Sequence, residues 1–148
     1  MNPEIETDPK IRRLGEVELF RGCSDHELAE IARISQPRDL PPGTLLCRQG
    51  RPSPDCIVVV EGIASVEVGG ELVGSVGPGE TIGEMAMLTR SLRSATVTAS
   101  TPMKVYVIDG ARFEEVLRTR PEVPIAMLRR AASMLQQVFV MAGRPEAA

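Results

Sequence analysis

The sequence is poor in aromatic residues and has no excess of basic residues, the two features that nucleic-acid-binding proteins use. Its 148 residues include no tryptophan, one tyrosine and three phenylalanines. So few rings argue against a surface on which the bases of a single strand would stack. The net charge of −3 argues against an extended electrostatic contact with a phosphate backbone. We therefore expect no direct nucleic-acid binding.

Histidine is almost absent, which limits the enzyme classes that the chain can form. Zinc sites, Ser-His-Asp triads and small metal-dependent barrel enzymes of the cupin type all depend on histidine. The single histidine, His26, lies in Ser24-Asp25-His26-Glu27, an S-x-x-E capping box that opens a helix. We therefore interpret His26 as a solvent-exposed residue in the first turn of this helix. We expect no enzymatic activity and no bound metal.

Cysteines and long apolar runs are also scarce. Cys23, Cys47 and Cys56 form no C-x-x-C pair, and their odd number does not suit a disulfide framework. They indicate reduced, mostly buried thiols. No apolar run approaches the ~20 residues that cross a bilayer, and no charged leader precedes an apolar core. We expect a soluble, cytoplasmic protein with no membrane segment in this chain.

Short β-type runs enclosed by helices make up the rest of the chain. The length predicts one domain, at 10–143, between flexible tails at 1–9 and 144–148. Helices are predicted in the first third, one of them from Ser24 through about Ser35, and a long one at about 122–142. Between the N- and C-terminal helices, Pro and Gly residues separate alternating runs that indicate a small sandwich or barrel. These runs are Thr44–Cys47, Asp55–Val60, Ile63–Val68, Glu71–Val76, Ser94–Ala99 and Met103–Ile108.

The segment GETIGEMAMLTRSLRSATV, residues 79–97, carries the functional signal. Gly83 permits a sharp turn and a close approach of a ligand. Glu84–Leu88 predicts a short helix whose first N–H groups face an anion. Arg93 precedes the next strand and can bind a phosphate with its planar guanidinium group. Taken singly, Glu84 is better explained as a helix-opening acid and Arg93 as a surface charge, and only the combined spacing favours a ligand site.

Glu84 suits a neutral hydrogen-bond donor, because a carboxylate repels a phosphate. A ribose 2′-hydroxyl fits this role, and an ion pair with Arg93 is the alternative. Ser94 and Ala95 add backbone N–H donors, and Ser94 adds a hydroxyl group. The residues together indicate a compact, singly charged phosphate that is attached to a sugar.

Residues 79–99 closely resemble the phosphate-binding cassette of cyclic nucleotide-binding domains, which occur in the protein kinase A regulatory subunit, the catabolite activator protein and cyclic nucleotide-gated channels. The resemblance covers about 14–140, and Ile82 and Leu92 depart from the Phe and Pro that are usual in the family. The matching residues of the cassette are Gly83, Glu84, Ala86, Leu88, Arg93, Ser94, Ala95, Thr96 and Val97.

The resemblance implies an α+β fold, namely an eight-stranded antiparallel jelly-roll β-barrel with N-terminal helices and two C-terminal helices. It also implies that Glu84 binds the ribose 2′-hydroxyl and that Arg93 binds the cyclic phosphate. The expected ligand is cAMP, with cGMP as the alternative, and the expected role is that of a regulatory sensor. The implied ligand-binding residues are Val66, Gly83, Glu84, Met85, Ala86, Arg93, Ser94 and Ala95.

The C-terminal helix carries two apolar stripes, one more than packing on a single domain requires. A homodimer or effector contact through this helix is one explanation, and burial between the barrel and the N-terminal helices is the other. In the resembling family this helix closes over the base, and Arg129, Arg130, Ser133 and Gln136 are candidates to contact it. A ligand-free scaffold that dimerises through the helix is the alternative function. The chain, which ends at Ala148, is expected to be a stand-alone sensor or part of a larger regulated protein.

Overall fold

The computed structural model describes residues 8–143, which form eight strands, five α-helices and one 3₁₀ turn. The predicted tails fall outside these residues, except that Asp8 caps the first helix and Pro9 begins it. The helices are α1 (Pro9–Gly15), α2 (Asp25–Arg33), α3 (Glu84–Thr89), α4 (Gly110–Thr119) and α5 (Glu122–Met141), and the 3₁₀ turn is Glu18–Phe20. The strands are β1 (Ser35–Leu40), β2 (Leu45–Cys47), β3 (Cys56–Glu61), β4 (Ala64–Val68), β5 (Glu71–Val76), β6 (Thr81–Ile82), β7 (Thr96–Ala99) and β8 (Met103–Ile108).

The eight strands form two antiparallel sheets, with the orders β1-β8-β3-β6 and β2-β7-β4-β5. The α+β class and the eight strands are confirmed, but the expected closed barrel is wrong. Within the described residues, no ladder joins the sheets. The edge strands β2 and β6 have 3 and 2 residues, which leaves too few backbone groups to extend the pairing from one sheet into the other.

Strand β1 is an element that the sequence did not indicate. Its segment SQPRDL contains Pro37 and is mostly exposed, so it lacks the alternation of a half-buried strand. It is extended because β8 pairs with it along its whole length, from Ser35 opposite Ile108 to Leu40 opposite Met103. Its position at the edge of the sheet tolerates a proline. Helix α2 consequently ends at Arg33, before the predicted boundary, while its capping box at Ser24 is confirmed.

The central strand β3 connects two apolar cores. Cys56 and Val58 belong to a core formed with the helices, and Ile57 and Val59 belong to the core between the sheets. This alternation follows from the period of two in a strand that is buried on both faces. Met87 of α3 also lies in the helical core. Helix α3 is thereby anchored to the helical part of the molecule.

Helix α5 packs along one side only. Val123 and Met127 are buried, and the Arg130 guanidinium group donates to the backbone carbonyl and the carboxylate of Glu18. The predicted burial between the sandwich and the N-terminal helices is not what the structure adopts. Ile125, Leu128, Leu135 and Phe139 of one predicted stripe remain 40% to 70% exposed.

Within residues 8–143, no helix combines the length and the apolarity that a membrane crossing requires.

The buried thiol of Cys56 should make stability depend on pH. Its pKa is raised from 9.0 to about 12, chiefly by burial and in part by the charges of Glu84 and Asp55, whereas the charge of Arg93 lowers it. Above pH 9 the unfolded thiol ionises while the folded one stays protonated, so stability is lost as the pH rises toward the folded-state pKa. Between pH 8 and pH 10, the free energy of unfolding of the wild type should fall by about 1 kcal/mol more than that of Cys56→Ala. Urea denaturation measures this difference, and equal pH profiles would contradict it.

Candidate functional site

A pocket of about 390 Å³ lies between the β2-β7-β4-β5 sheet and the segment 81–95. All eight predicted ligand-binding residues line it, from Val66 on β4 to Ala95 just before β7. Their role as ligand contacts remains a prediction, but their assembly around one cavity is a structural fact. The pocket is also lined by Cys47, Val76, Thr81, Ile82, Ser91, Leu92 and Val97.

The floor of the pocket is one apolar row that crosses three strands. Cys47 of β2 stands opposite Val97 of β7, and Val97 stands opposite Val66 of β4. Residues in register across adjacent strands point to the same face of a sheet. Val66 is one of the ligand-binding residues that the resemblance implies, whereas Cys47 was predicted only as a buried thiol. The floor can therefore accommodate a flat, apolar group of a ligand.

The wall of the pocket begins at Gly83, which has a φ of 81° and precedes the first turn of α3. Its carbonyl accepts a hydrogen bond from Met87 N at 2.9 Å, which closes that turn. A Cβ atom at Gly83 would overlap the guanidinium group of Arg93. Glycine is thus required both by the left-handed backbone and by the close approach of the arginine. Ala86 is buried beside it, whereas Met85 is 63% exposed.

Arg93 is a buried cation that lacks a counter-ion. Its side chain is 5% exposed, and Nη2 donates to Ser53 Oγ at 3.2 Å and to the carbonyl of Asp55. Nε and Nη1 find no hydrogen-bond partner among residues 8–143, and no carboxylate there lies within ion-pair distance of the group. Burial of an unpaired charge is costly. An anion that accepted hydrogen bonds from these two nitrogen atoms would neutralise the charge.

Glu84 is held by a neighbour other than Arg93. Its Oε2 accepts a hydrogen bond from Thr81 Oγ1 at 2.6 Å, and the residue is half-buried. The alternative ion pair with Arg93 is not formed within the described chain. The carboxylate lines the pocket and can accept further hydrogen bonds from a ligand. The pocket therefore combines a cation without a counter-ion, a carboxylate acceptor and an apolar floor.

Residues 37–120, more than half of the chain, match the family model of the cyclic nucleotide-binding domain. The chain belongs to the cyclic nucleotide-binding domain family. A cyclic nucleotide-gated potassium channel of Mesorhizobium japonicum is 36% identical over 107 residues, which cover 72% of this chain and 30% of the channel. Glutaminase 2 of Bradyrhizobium diazoefficiens is 32% identical over 130 residues, which cover 87% of this chain and 21% of that protein.

A solved structure of the same family has the same fold. The regulatory domain of Toxoplasma gondii PKA in co-crystals with cAMP matches with a TM-score of 0.75 and 25% identity, covering 97% of this chain and 55% of that one. The cyclic nucleotide-binding domain spans between 21% and 34% of the length of the curated relatives that it matches. In these relatives the domain is one part of a longer protein.

Three residues that were not predicted from the sequence hold Arg93 and Glu84 in place by hydrogen bonds. Ser53 and Asp55 hold Arg93, and Thr81 holds Glu84. Thr81 lies three residues from Glu84, so a local pattern could have suggested it. Ser53 and Asp55 lie 40 and 38 residues from Arg93, and no pattern in the sequence links them. The four α5 residues proposed as base contacts do not line the pocket.

Cys47, on the floor of the pocket, lies close enough to Arg93 to be influenced by its charge. Burial raises the pKa of the Cys47 thiol, and the nearby Arg93 charge lowers it in part. The protonated thiol donates to the carbonyl of Ala95 at 3.5 Å. The two residues therefore contribute a neutral, weakly polar edge beside the cation.

Replacing the buried cation should not destabilise the ligand-free domain. We expect Arg93→Met to leave the free energy of unfolding unchanged or to raise it by up to ~2 kcal/mol, because an unpaired buried charge is removed. The matched control is Arg130→Met, which removes the partner of Glu18 and should lower stability by about 1 kcal/mol. Urea denaturation compares both with the wild type. A loss above ~1 kcal/mol in Arg93→Met would show that the guanidinium is a structural element.

Proposed function

We propose that this domain is a regulatory sensor that binds a cyclic nucleotide, with cAMP as the preferred ligand. The observation that carries the proposal is the pair of unpartnered nitrogen atoms, Nε and Nη1 of the buried Arg93, at the pocket. A cyclic phosphate is a singly charged diester and neutralises one arginine. The pocket volume of about 390 Å³ lies in the range of small-molecule sites, ~300–1,000 Å³.

The remaining groups suit the rest of a nucleotide. In our proposal the phosphate binds Arg93 and the N–H groups of Ser94 and Ala95. The ribose 2′-hydroxyl donates to Glu84, whose orientation Thr81 maintains. This separation keeps the carboxylate on a neutral donor and the phosphate on the cation. Gly83 and Ala86 allow the sugar and phosphate to approach the backbone closely.

The purine extends over the apolar floor in this arrangement. Val66 supports the ring from the sheet, and Met85 flanks it at the rim, where it is 63% exposed. The cAMP bound to the similar Toxoplasma gondii regulatory domain supports adenine over guanine. Ser94 is exposed next to Arg93, so its hydroxyl is available to a guanine in the alternative, cGMP.

Coupling to α5 forms the output of the proposed sensor. Within the described chain, no α5 residue lines the pocket, and Leu92 and Met85 stay exposed at its rim. The unpartnered stripe of α5, which includes Leu128 and Leu135, can cover this rim in a closed state. The ligand would shift the equilibrium only by its differential affinity for that closed state. A change in amide hydrogen exchange of α5 on ligand addition is the expected sign of this coupling.

One observation favours a second function, the ligand-free scaffold. The exposed positions Ile125, Leu128, Leu135 and Phe139 keep the 3-4 spacing of a helix-pairing seam. A homodimer or an effector would bind there. The unpaired Arg93 favours the sensor, since a scaffold has no use for a costly buried charge. The match to glutaminase 2 covers only 21% of that protein, so a segment similar to this domain can be one part of a longer enzyme. The three cysteines are free thiols, as a reducing cytoplasm would keep them.

Calorimetric titration of the full chain tests the sensor. We expect saturable 1:1 binding of cAMP, weaker binding of cGMP, and little binding of 5′-AMP, whose dianionic phosphate is not matched by a single arginine. The ligand should also raise the melting temperature in proportion to its affinity. Absence of heat and of thermal shift with every cyclic nucleotide would overturn the sensor and favour the scaffold.

A pair of glycine variants tests the placement of the phosphate. Gly83 and Gly79 have φ values of 81° and 84°, so alanine strains both backbones by about 1 kcal/mol. Only at Gly83 would the new Cβ displace the Arg93 guanidinium, because nothing lies within 4 Å of a Cβ at Gly79. We expect Gly83→Ala to weaken cAMP binding at least ~10-fold and Gly79→Ala to leave it within ~2-fold. Equal affinities of the two variants would place the phosphate elsewhere.

A further inference from the structure

We propose that Asp55 is a positioning residue that links the anion-binding arginine to the start of helix α4. Its backbone carbonyl accepts a hydrogen bond from Arg93 Nη2. Its carboxylate Oδ1 accepts one from Gly110 N, the first residue of α4, at 3.0 Å. One residue thus contacts the functional cation through its main chain and a helix terminus through its side chain. The role proposed for this link rests on the proposed nucleotide-binding function.

The loop that contains Asp55 surrounds Arg93 on both its backbone and its side chain. Gly50 N donates to the Arg93 carbonyl at 2.9 Å, and Arg93 N donates to the Arg51 carbonyl at 3.1 Å. Ser53 Oγ and the Asp55 carbonyl accept from the guanidinium. All four contacts engage the backbone or the Nη2 atom, which leaves Nε and Nη1 for an anion. The loop therefore determines how the guanidinium is presented to the pocket.

The far side of the same loop is in tight contact with α4. A Cβ atom at Gly110 would overlap the carbonyl group of Pro54, so the helix starts directly against the loop. Close-packed groups transmit a displacement because no free space absorbs it. A shift of Asp55 that follows the guanidinium must then move the first turn of α4 or break the bond to Gly110. Either response changes the amide of Gly110.

Helix α4 is in turn part of the helical core. Phe113 and Val116 are buried there, and the Phe113 ring lies 5.9 Å from that of Phe20. Helix α5 follows α4 after a short connection and is buried in the same core through Val123 and Met127. Asp55 is thus one contact through which occupancy of the pocket can reach the helices on the opposite face of β3. Coupling of this kind is reciprocal, so loosening the bond should also weaken nucleotide binding.

A second acid at the same helix terminus provides a matched control. Asp109 is the N-cap of α4, and its side chain accepts from Arg112 N at 2.9 Å. Loss of either carboxylate removes one acceptor for an N–H group of the first turn, so both losses should destabilise α4 similarly. Asp109 makes no contact with Arg93 or with the loop around it in the described hydrogen bonds. Asp55 therefore joins the start of α4 to Arg93, and Asp109 does not.

The experiment measures cAMP affinity by calorimetry for the full chain and for Asp55→Ala, Asp55→Asn and Asp109→Ala. We expect Asp55→Ala to bind about five- to tenfold more weakly. Asp55→Asn, whose amide oxygen can still accept from Gly110 N, and Asp109→Ala should both stay within about twofold of the wild type. Binding by Asp55→Ala at wild-type affinity, or an equal loss in Asp109→Ala, would overturn the proposal.

Amide hydrogen exchange of Gly110 without any ligand separates this proposal from the nucleotide-binding function. Arg93→Met and Asp55→Ala should each accelerate that exchange at least about threefold. The Gly110 amide of the double variant should exchange no faster than that of either single variant. The control Arg130→Met should leave it unchanged. If the wild type bound no cyclic nucleotide but this pattern held, the sensor function would fail and the link would stand. An unaltered Gly110 exchange in Arg93→Met would overturn the link, whatever the ligand results.

Discussion

The pocket depends on one buried charge, that of Arg93, which no carboxylate among residues 8–143 neutralises. Burying a guanidinium costs free energy unless a counter-ion offsets it, and the described chain brings no carboxylate to Arg93. The surrounding structure holds the group in place nonetheless: Gly83 makes room for it, and the loop before β3 accepts its Nη2 protons. Glu84 is kept apart by its bond to Thr81. In our proposal, a site that tolerates this cost is preorganised for an anion, since little rearrangement is needed when the anion binds.

The fold connects the pocket to the distant helices through packed and hydrogen-bonded groups. Strand β3 is buried on both faces, so the sandwich and the helical layer share one rigid element. The loop that precedes β3 touches the cation on one side and the start of α4 on the other. Helix α3 adds a second connection, because Met87 lies in the helical core while Ala86 lines the pocket. Both connections lead toward α5, whose apolar stripe has no partner in the described residues.

The prediction from sequence succeeded where the determinants lie close together along the chain. The capping box at Ser24, the turn at Gly83 and the short helix after it depend on residues a few positions apart, and each is present. The eight candidate ligand residues also line one pocket. The closed barrel was wrong because β2 and β6 are too short to continue the ladders. Strand β1 was missed because its extended form depends on pairing with β8 and not on its own polar residues.

The sequence by itself determined the local chemistry: a glycine that can adopt positive φ, a short helix, and an arginine ahead of a strand. These features depend on the conformational preferences of neighbouring residues, which the sequence alone specifies. Tertiary structure alone decided that Arg93 is buried without a counter-ion, that Ser53 and Asp55 hold it from 40 and 38 residues away, and that the stripe of α5 faces solvent. These properties depend on which distant segments are packed together. The energy of a buried charge is a property of that packing and not of the residue.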